Sequence, residues 1–84
     1  MEAIFHKQFK KKLKKLPHAI REQFYDRLEV FMIDPNNKML HNHSVDKAFS
    51  DCRSINITGD YRAIFKEDKG TCVFITIGTH SELY

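Results

Sequence analysis

The sequence predicts an α+β domain in which two N-terminal antiparallel helices pack on a small antiparallel sheet, in the order β-α-α-β-β-β. Three observations predict this fold. Apolar residues recur at helical spacing between residues 7 and 33, and three apolar runs of strand length follow residue 51. The chain has 84 residues, which suits one domain with one core, so residues 1–84 are treated as a single domain.

The N-terminal half contains one strand and two helices. Glu2–His6 has a short apolar centre and is predicted to be the first strand. The stripe of the first helix is formed by Phe9, Leu13 and Leu16. Pro17 ends this helix, because proline lacks an N–H but fits the first turn of a new helix. The stripe of the second helix is formed by Ile20, Phe24, Leu28 and Phe31, before the turn residues at 34–37.

The C-terminal half is predicted to be a three-stranded meander. Its strands are Cys52–Ile57, Tyr61–Lys66 and Thr71–Ile77, with hairpin turns at 58–60 and 67–70. Alternate residues of a strand face opposite sides, so Val73, Ile75 and Ile77 are expected to meet the helices. The other face would carry Asn56, Asp60, Arg62 and Thr76, with His80 just beyond the last strand.

Charge and cysteine usage narrow the class of function. The net charge is +3, and six lysines crowd the first helix: Lys7, Lys10, Lys11, Lys12, Lys14 and Lys15. Such a cluster fits nucleic acid or an acidic protein segment, or simply a solvated helix face. No apolar stretch approaches the roughly 20 residues that cross a bilayer, and the N-terminus lacks a hydrophobic signal region. We therefore expect a cytoplasmic protein without a membrane partner. Cys52 and Cys72 lack metal-ligand spacing with the histidines, so neither a metal nor a cofactor is expected.

Two residues are the main candidates for chemistry. Arg62 interrupts an otherwise apolar strand, where a rigidly mounted guanidinium could bind a phosphate. The alternative is an ion pair with Asp60 or Glu82. His80 follows the last strand and could transfer a proton near neutral pH, or it could merely cap the final turn.

Four further residues join the candidate site. Asp60 is either a turn residue or a general base. His43 lies in the 38–50 connection, which could fold over the sheet, whereas His41 looks incidental. Tyr84 could stack on a nucleobase or tuck onto the sheet. Asn56 shares the face of Arg62 and is assigned to RNA binding together with the lysines.

The tail Gly78-Thr79-His80-Ser81-Glu82-Leu83-Tyr84 resembles that of the YafQ branch of the RelE/ParE superfamily of type II toxins. That branch ends in Gly-Thr-His, two residues, Leu and Phe. Gly59-Asp60-Tyr61-Arg62 is similar to the Asp-aromatic step of YafQ and to the Tyr-Arg step of RelE. The resemblance covers nearly the whole chain and implies a RelE-like fold. It also implies cleavage of mRNA in the ribosomal A site and inhibition by a cognate antitoxin.

The resemblance assigns roles residue by residue. His80, Asp60 and His43 match the tail histidine, strand aspartate and loop histidine of YafQ. Arg62 matches the strand arginine of RelE, and Tyr84 matches the terminal aromatic residue of both. YafQ carries a further histidine where this chain has Asn56, so one proton carrier of that branch is absent.

The predicted function is a type II toxin that cleaves mRNA at the 70S ribosome by attack of the RNA 2′-OH, without metal or cofactor. His80 is the predicted acid, Asp60 or His43 the base, Arg62 the phosphate ligand and Tyr84 the group that positions the nucleobase. The predicted partners are mRNA, the ribosome and an acidic, partly disordered antitoxin. Two alternatives stay open: a non-enzymatic ParE-like inhibitor of DNA gyrase, and an inactive homologue that only binds its antitoxin.

Overall fold

The chain forms five strands and three α-helices, which a computed structural model describes for residues 1–84. The strands are β1 (Glu2–Phe5), β2 (His43–Ser44), β3 (Arg53–Asn56), β4 (Tyr61–Asp68) and β5 (Thr71–Thr79). The helices are α1 (Lys7–Lys15), α2 (His18–Ile33) and α3 (His80–Leu83), and a short 3₁₀ turn spans Lys38–Leu40. The α+β class is confirmed. None of the helices is both long and apolar enough to cross a membrane.

The sheet is mixed, with strand order β1-β5-β4-β3-β2. Strands β2 to β5 pair antiparallel, but β1 pairs with β5 in parallel, from Glu2 opposite Thr71 to Phe5 opposite Phe74. The predicted antiparallel meander is confirmed, whereas the parallel direction of β1 was not predicted. A parallel pair needs a long crossover, and here the two helices and strands β2 to β4 supply it. Strand β2 was not predicted, because two residues are too short for a periodic signal.

The β4–β5 hairpin is longer than its apolar pattern indicates. Its ladder continues to Asp68 opposite Thr71, so the turn is only Lys69–Gly70. Both turn residues have positive φ, at 50° and 84°. Two successive positive φ angles are those of a type I′ turn, whose twist matches the flanking strands and lets the ladder run to its end. The predicted four-residue turn at 67–70 was too long.

A β-bulge at Ile75 changes which residues of β5 face the helices. Ile64 pairs with Thr76 while Phe65 pairs with Phe74, which leaves Ile75 as an extra residue. The helix-facing residues of β5 are therefore Cys72, Phe74 and Ile77, all members of the main core. The predicted set was wrong for Val73 and Ile75, because strict alternation does not anticipate an extra residue.

Phe74 is the centre of the main core. Its ring centroid lies 5.5–5.9 Å from those of five other phenylalanines: Phe5, Phe9, Phe24, Phe31 and Phe65. Aromatic pairs at these distances contribute beyond the area that they bury. These rings come from β1, α1, α2, β4 and β5, so the packing around Phe74 fixes both long helices on one face of the sheet.

Arg21 connects the two long helices at Pro17. Its Nη1 donates hydrogen bonds to the carbonyl oxygens of Lys14, at 3.1 Å, and Leu16, at 2.8 Å. These carbonyls belong to the unpaired end of α1, where a cationic donor is favourable. The helices therefore join with no loop beyond Leu16 and Pro17.

A second, smaller core lies on the opposite face of the sheet. It contains Val45, Cys52 and Ile64, with Phe49, Ile75 and Leu83 packed against it. The 45–52 loop and α3 cover this face, so they are anchored rather than free. Burial raises the pKa of both thiols, Cys52 and Cys72. This agrees with the reading of the cysteines as small buried side chains.

Candidate active site

A cleft of about 550 Å³ opens between the loop that follows α2 and the start of α3. It lies on the sheet face opposite to α1 and α2, because Ala63 is buried in the main core while its neighbour Arg62 points the other way. Four predicted site residues line it together: His43, Arg62, His80 and Tyr84. The remaining wall is formed by His41 and residues 44–48.

The guanidinium of Arg62 is held by backbone carbonyl groups. Its Nη1 donates to the carbonyl oxygens of Thr58 and Gly59, each at 3.1 Å, and of Tyr61 at 3.2 Å. The only ion pair of the chain joins His18 and Glu22, so the alternative pairing of Arg62 with an acid is not formed. Its Nε and Nη2 have no protein partner. A cation fixed through one nitrogen and free at the others is preorganised for an anionic ligand.

His43 has one ring nitrogen occupied and one available. Its Nδ1 lies 2.7 Å from the carbonyl oxygen of His41. A carbonyl only accepts hydrogen bonds, so Nδ1 carries the proton and Nε2 of the neutral ring keeps its lone pair. His41 has a left-handed backbone conformation, with φ of 46°, and its ring lies 4.7 Å from that of His43. The arrangement leaves Nε2 as a potential proton acceptor.

His80 is the first residue of α3 and is exposed. Its backbone N–H donates to the carbonyl oxygen of Asp60 at 3.0 Å, which connects the helix to the residue just before β4. Its ring lies 4.8 Å from that of Tyr84. The cap of this last helix is Thr79 rather than His80, so the capping alternative for His80 is wrong. The imidazole is free to act in the cleft.

Asp60 and Asn56 lie outside the lining of the cleft. Asp60 is an exposed turn residue, and its backbone rather than its carboxylate contacts His80. Asn56 pairs with Arg62 across β3 and β4, but its side-chain oxygen is buried without a hydrogen-bond partner. The Ser54 hydroxyl is buried without a partner in the same way, so this feature of Asn56 does not by itself indicate a ligand.

The lysines of α1 are all exposed but fall into three groups. We call Lys7, Lys11 and Lys15 the outer lysines, because their spacing of four residues places them on the side away from the core. Lys10 and Lys14 line a groove of about 620 Å³ together with Phe5, Leu13, Arg21 and Tyr25. Lys12 instead donates from Nζ to Oγ1 of Thr76 at 2.9 Å.

Sequence reasoning missed three contributors to the site. His41 was regarded as incidental, yet it lines the cleft and its carbonyl fixes the tautomer of His43. Thr79 and Glu82 form a reciprocal capping box that starts α3. Their Thr-x-x-Glu spacing was the available signal, although it precedes only a one-turn helix. No group of three or more His, Cys, Asp or Glu side chains is arranged to hold a metal ion.

Comparisons with known proteins identify the family and its fold. Residues 3–84 match the family described as the ParE toxin of the type II toxin–antitoxin system, parDE. A chain of the RelB–RelE antitoxin–toxin complex from Methanococcus jannaschii is 23% identical, with a TM-score of 0.75 over 96% of this chain and 94% of that one.

Two other solved structures have the same fold at lower identity. YafQ from E. coli strain BL21(DE3) is 18% identical, with a TM-score of 0.73 over 99% of this chain and 97% of its own. The YoeB/ParE toxin from Agrobacterium tumefaciens is 13% identical, with a TM-score of 0.76 over 95% and 99% of the two chains. No protein of curated function matches the sequence.

Proposed function

We propose that this chain, which belongs to the ParE toxin family of type II toxin–antitoxin systems, cleaves mRNA on the ribosome. Family membership confirms the predicted RelE/ParE superfamily, and the mode of action is the proposal. The observation that carries it is the shared cleft, which is lined by three imidazoles and by a guanidinium that has no carboxylate partner. These are the groups that cleavage of RNA by its own 2′-OH requires.

The reaction needs three contributions from the protein. A base takes the 2′-OH proton as the oxygen attacks phosphorus, an acid protonates the departing 5′-oxygen, and a cation stabilises the charge on the phosphate. The P–O5′ bond breaks, which leaves a 2′,3′-cyclic phosphate and a 5′-OH. We assign the base to Nε2 of His43, the acid to His80 and the phosphate ligand to Nε and Nη2 of Arg62.

His43 is preferred to Asp60 as the base because of its position. Its imidazole lines the cleft, and the hydrogen bond from Nδ1 to the His41 carbonyl leaves Nε2 as an acceptor. The Asp60 carboxylate does not line the cleft. The Tyr84 ring lies 4.8 Å from the His80 ring at a tilt of 52°, and Tyr84 would present an aromatic surface to an unstacked nucleobase.

The ribosome would be recognised through charge. The outer lysines are exposed and have no protein partners, so their side chains are available to phosphates. A cluster of cations steers a protein to polyanionic RNA and makes its binding sensitive to salt. Lys10 and Lys14, which line the groove, would add to the positive electrostatic potential of the outer lysines.

A cognate antitoxin would occupy the groove between α1 and α2. The solved RelB–RelE structure is an antitoxin–toxin complex, which makes a comparable partner a reasonable proposal for this chain. The groove combines apolar Phe5 and Leu13 with three cations, Lys10, Lys14 and Arg21. It would accept an amphipathic acidic segment that is disordered when free and folds on binding.

The proposal is tested with programmed ribosomes and a short mRNA. Wild-type protein should release a 2′,3′-cyclic phosphate, and a 2′-deoxy substitution at the scissile nucleotide should block the reaction. Replacing the exposed His80 by alanine should slow cleavage about 10²–10⁴-fold with little change in melting temperature. Cleavage of the 2′-deoxy substrate, or wild-type rates in the alanine variant, would contradict the mechanism.

The family match favours a second candidate function. The matching family is described as the ParE toxin of the type II toxin–antitoxin system. This agrees with the alternative that the sequence left open, a non-enzymatic ParE-like inhibitor of DNA gyrase. In that case the protein would block supercoiling by purified gyrase and leave ribosome-bound mRNA intact. A protein inactive in both assays that still binds its antitoxin would be an inactive homologue.

A further inference from the structure

The C-terminal helix begins without a loop. Strand β5 ends at Thr79 and α3 starts at His80, so the chain passes from strand to helix within one peptide unit. A helix of four residues is far too short to form on its own, because its first turn is costly to nucleate. Nevertheless α3 carries His80 and is followed by Tyr84, two residues of the cleft. Its direction must therefore be fixed by more than the backbone hydrogen bonds of the helix itself.

Two reciprocal hydrogen bonds supply that constraint. The Thr79 backbone N–H donates to Oε1 of Glu82 at 2.7 Å, and the Glu82 backbone N–H donates to Oγ1 of Thr79 at 3.3 Å. Gly78 leaves room for this arrangement, since a Cβ there would lie 3.2 Å from Oε1 of Glu82. The carboxylate thus folds back over the end of the strand and closes the first turn.

Two further contacts hold the same turn from its sides. Leu83 packs into the second core, so the far end of α3 is anchored on the sheet. Lys12 of α1 binds Thr76. The hydrogen bonds from Thr79 keep the pKa of Glu82 below its ordinary value, and the charge of Lys12 adds a smaller effect in the same direction. Lys12 can reach Thr76 because β1 ends at Phe5, opposite Phe74, and leaves the edge of β5 beyond Phe74 unpaired. The ionised form of Glu82 is therefore the form that the fold favours.

We propose that Thr79 and Glu82 are positioning residues for His80, acting through the capping box rather than by contact with substrate. The reciprocal bonds fix the backbone of the turn so that the His80 ring enters the cleft. Tyr84, four residues later, then packs against it with the ring centroids 4.8 Å apart. When the box is broken the turn frays, and the imidazole leaves the position from which it would protonate the 5′-oxygen. The kinetic part of this inference rests on the proposed RNA cleavage.

The test compares disruptive and conservative variants of the box. Thr79→Ala and Glu82→Ala each remove an acceptor, and we expect kcat to fall about tenfold with KM within about twofold, as for loss of a helix cap that holds a catalytic group. Thr79→Ser and Glu82→Gln keep an acceptor at the same place and should stay within about threefold of wild type. Ser81→Ala is the matched control, because it removes a hydroxyl that lies 3.4 Å from Oγ1 of Thr79 and leaves both reciprocal backbone bonds in place.

A second readout does not need catalysis. In the free protein, proton NMR should detect the contact between the His80 and Tyr84 rings in wild type, in both conservative variants and in Ser81→Ala. The contact should be lost in both disruptive variants while the melting temperature of the core falls only slightly.

The two readouts separate failure of this inference from failure of the proposed function. Unchanged kcat in Thr79→Ala and Glu82→Ala, with an active wild type, would overturn the positioning role and leave the nuclease intact. If the wild type cleaves no RNA, the NMR contact decides alone: its loss only in the alanine variants supports the role, and its persistence in them overturns it.

Discussion

Replacing Arg62 by lysine separates two roles that the guanidinium combines. Its Nη1 binds three backbone carbonyls, of Thr58, Gly59 and Tyr61, and its other nitrogens are free for phosphate. Arg62→Ala removes both functions. Arg62→Lys provides one ammonium, which can satisfy the carbonyls or reach a phosphate but cannot offer the paired donors of a guanidinium. We therefore expect the lysine variant to keep its stability and to lose activity.

The magnitudes follow from those contacts. The two N–H groups of Nη1, shared among three carbonyls and partly exposed, should contribute about 1–2 kcal/mol, so Arg62→Ala should melt roughly 4–16 °C below wild type. Arg62→Lys should melt within a few degrees of wild type. Loss of a preorganised donor to transition-state charge typically costs about 10²–10³ in rate. Both variants should therefore cleave about 10²–10³-fold more slowly.

Single-turnover cleavage of ribosome-bound mRNA measures the rates, and thermal unfolding followed by circular dichroism measures the melting temperatures. The reasoning is refuted if Arg62→Lys cleaves within a few-fold of wild type. It is also refuted if the loss of rate in Arg62→Ala disappears at a temperature low enough to keep that variant fully folded.

Three further predictions address the base, the lysines and the C-terminal cap. His43→Gln should slow cleavage about 10²–10⁴-fold while Asp60→Asn leaves it nearly unchanged, and the reverse order in the same assay would move the base to the aspartate. Reversing the three outer lysines to glutamate should weaken ribosome binding in a sedimentation assay and reduce its salt dependence; a large loss of melting temperature would instead make them structural. Because the hydrogen bonds from Thr79 lower the pKa of Glu82 in the folded protein, the charge of Glu82 strengthens the cap fully above the ordinary glutamate pKa of about 4.3, and this contribution is lost as pH falls through the lower folded value. The NMR contact between the His80 and Tyr84 rings should accordingly be undiminished at pH 5 and weaken only under more acidic conditions, as far as in Glu82→Gln; weakening above pH 5 would exclude Glu82 as the controlling group.

The sequence predicted the parts of the fold that repeat at short range. The apolar stripe containing Phe9 and Leu13 is buried as expected, and the strands that contain Ile55 and Ala63 face the helices as alternation requires. Ile75 does not follow this alternation, because it is the extra residue of a β-bulge, and a bulge depends on the partner strand. The parallel pairing of β1 with β5 could not be predicted either, because it joins residues from the two ends of the chain and leaves no local sequence pattern.

The candidate site was predictable as a set of residue types more than as a geometry. Arg62 and His80 stood out by position, and the two do line one cleft. The role of His41 depends on a left-handed backbone and a carbonyl direction that its sequence position does not reveal. The carboxylate of Asp60 was expected in the site, but only its backbone carbonyl touches a site residue, because the turn directs the side chain to solvent.

The central claim is that His43, His80 and Arg62 act together on one phosphodiester of ribosome-bound mRNA. Mapping transcript 5′ ends in cells that express wild-type protein or the His80→Ala variant tests it most directly. We predict new ends with 5′-OH groups in register with codons for the wild type, and none for the variant. Intact transcripts accompanied by DNA damage in wild-type cells, or equal cleavage by both proteins, would contradict it.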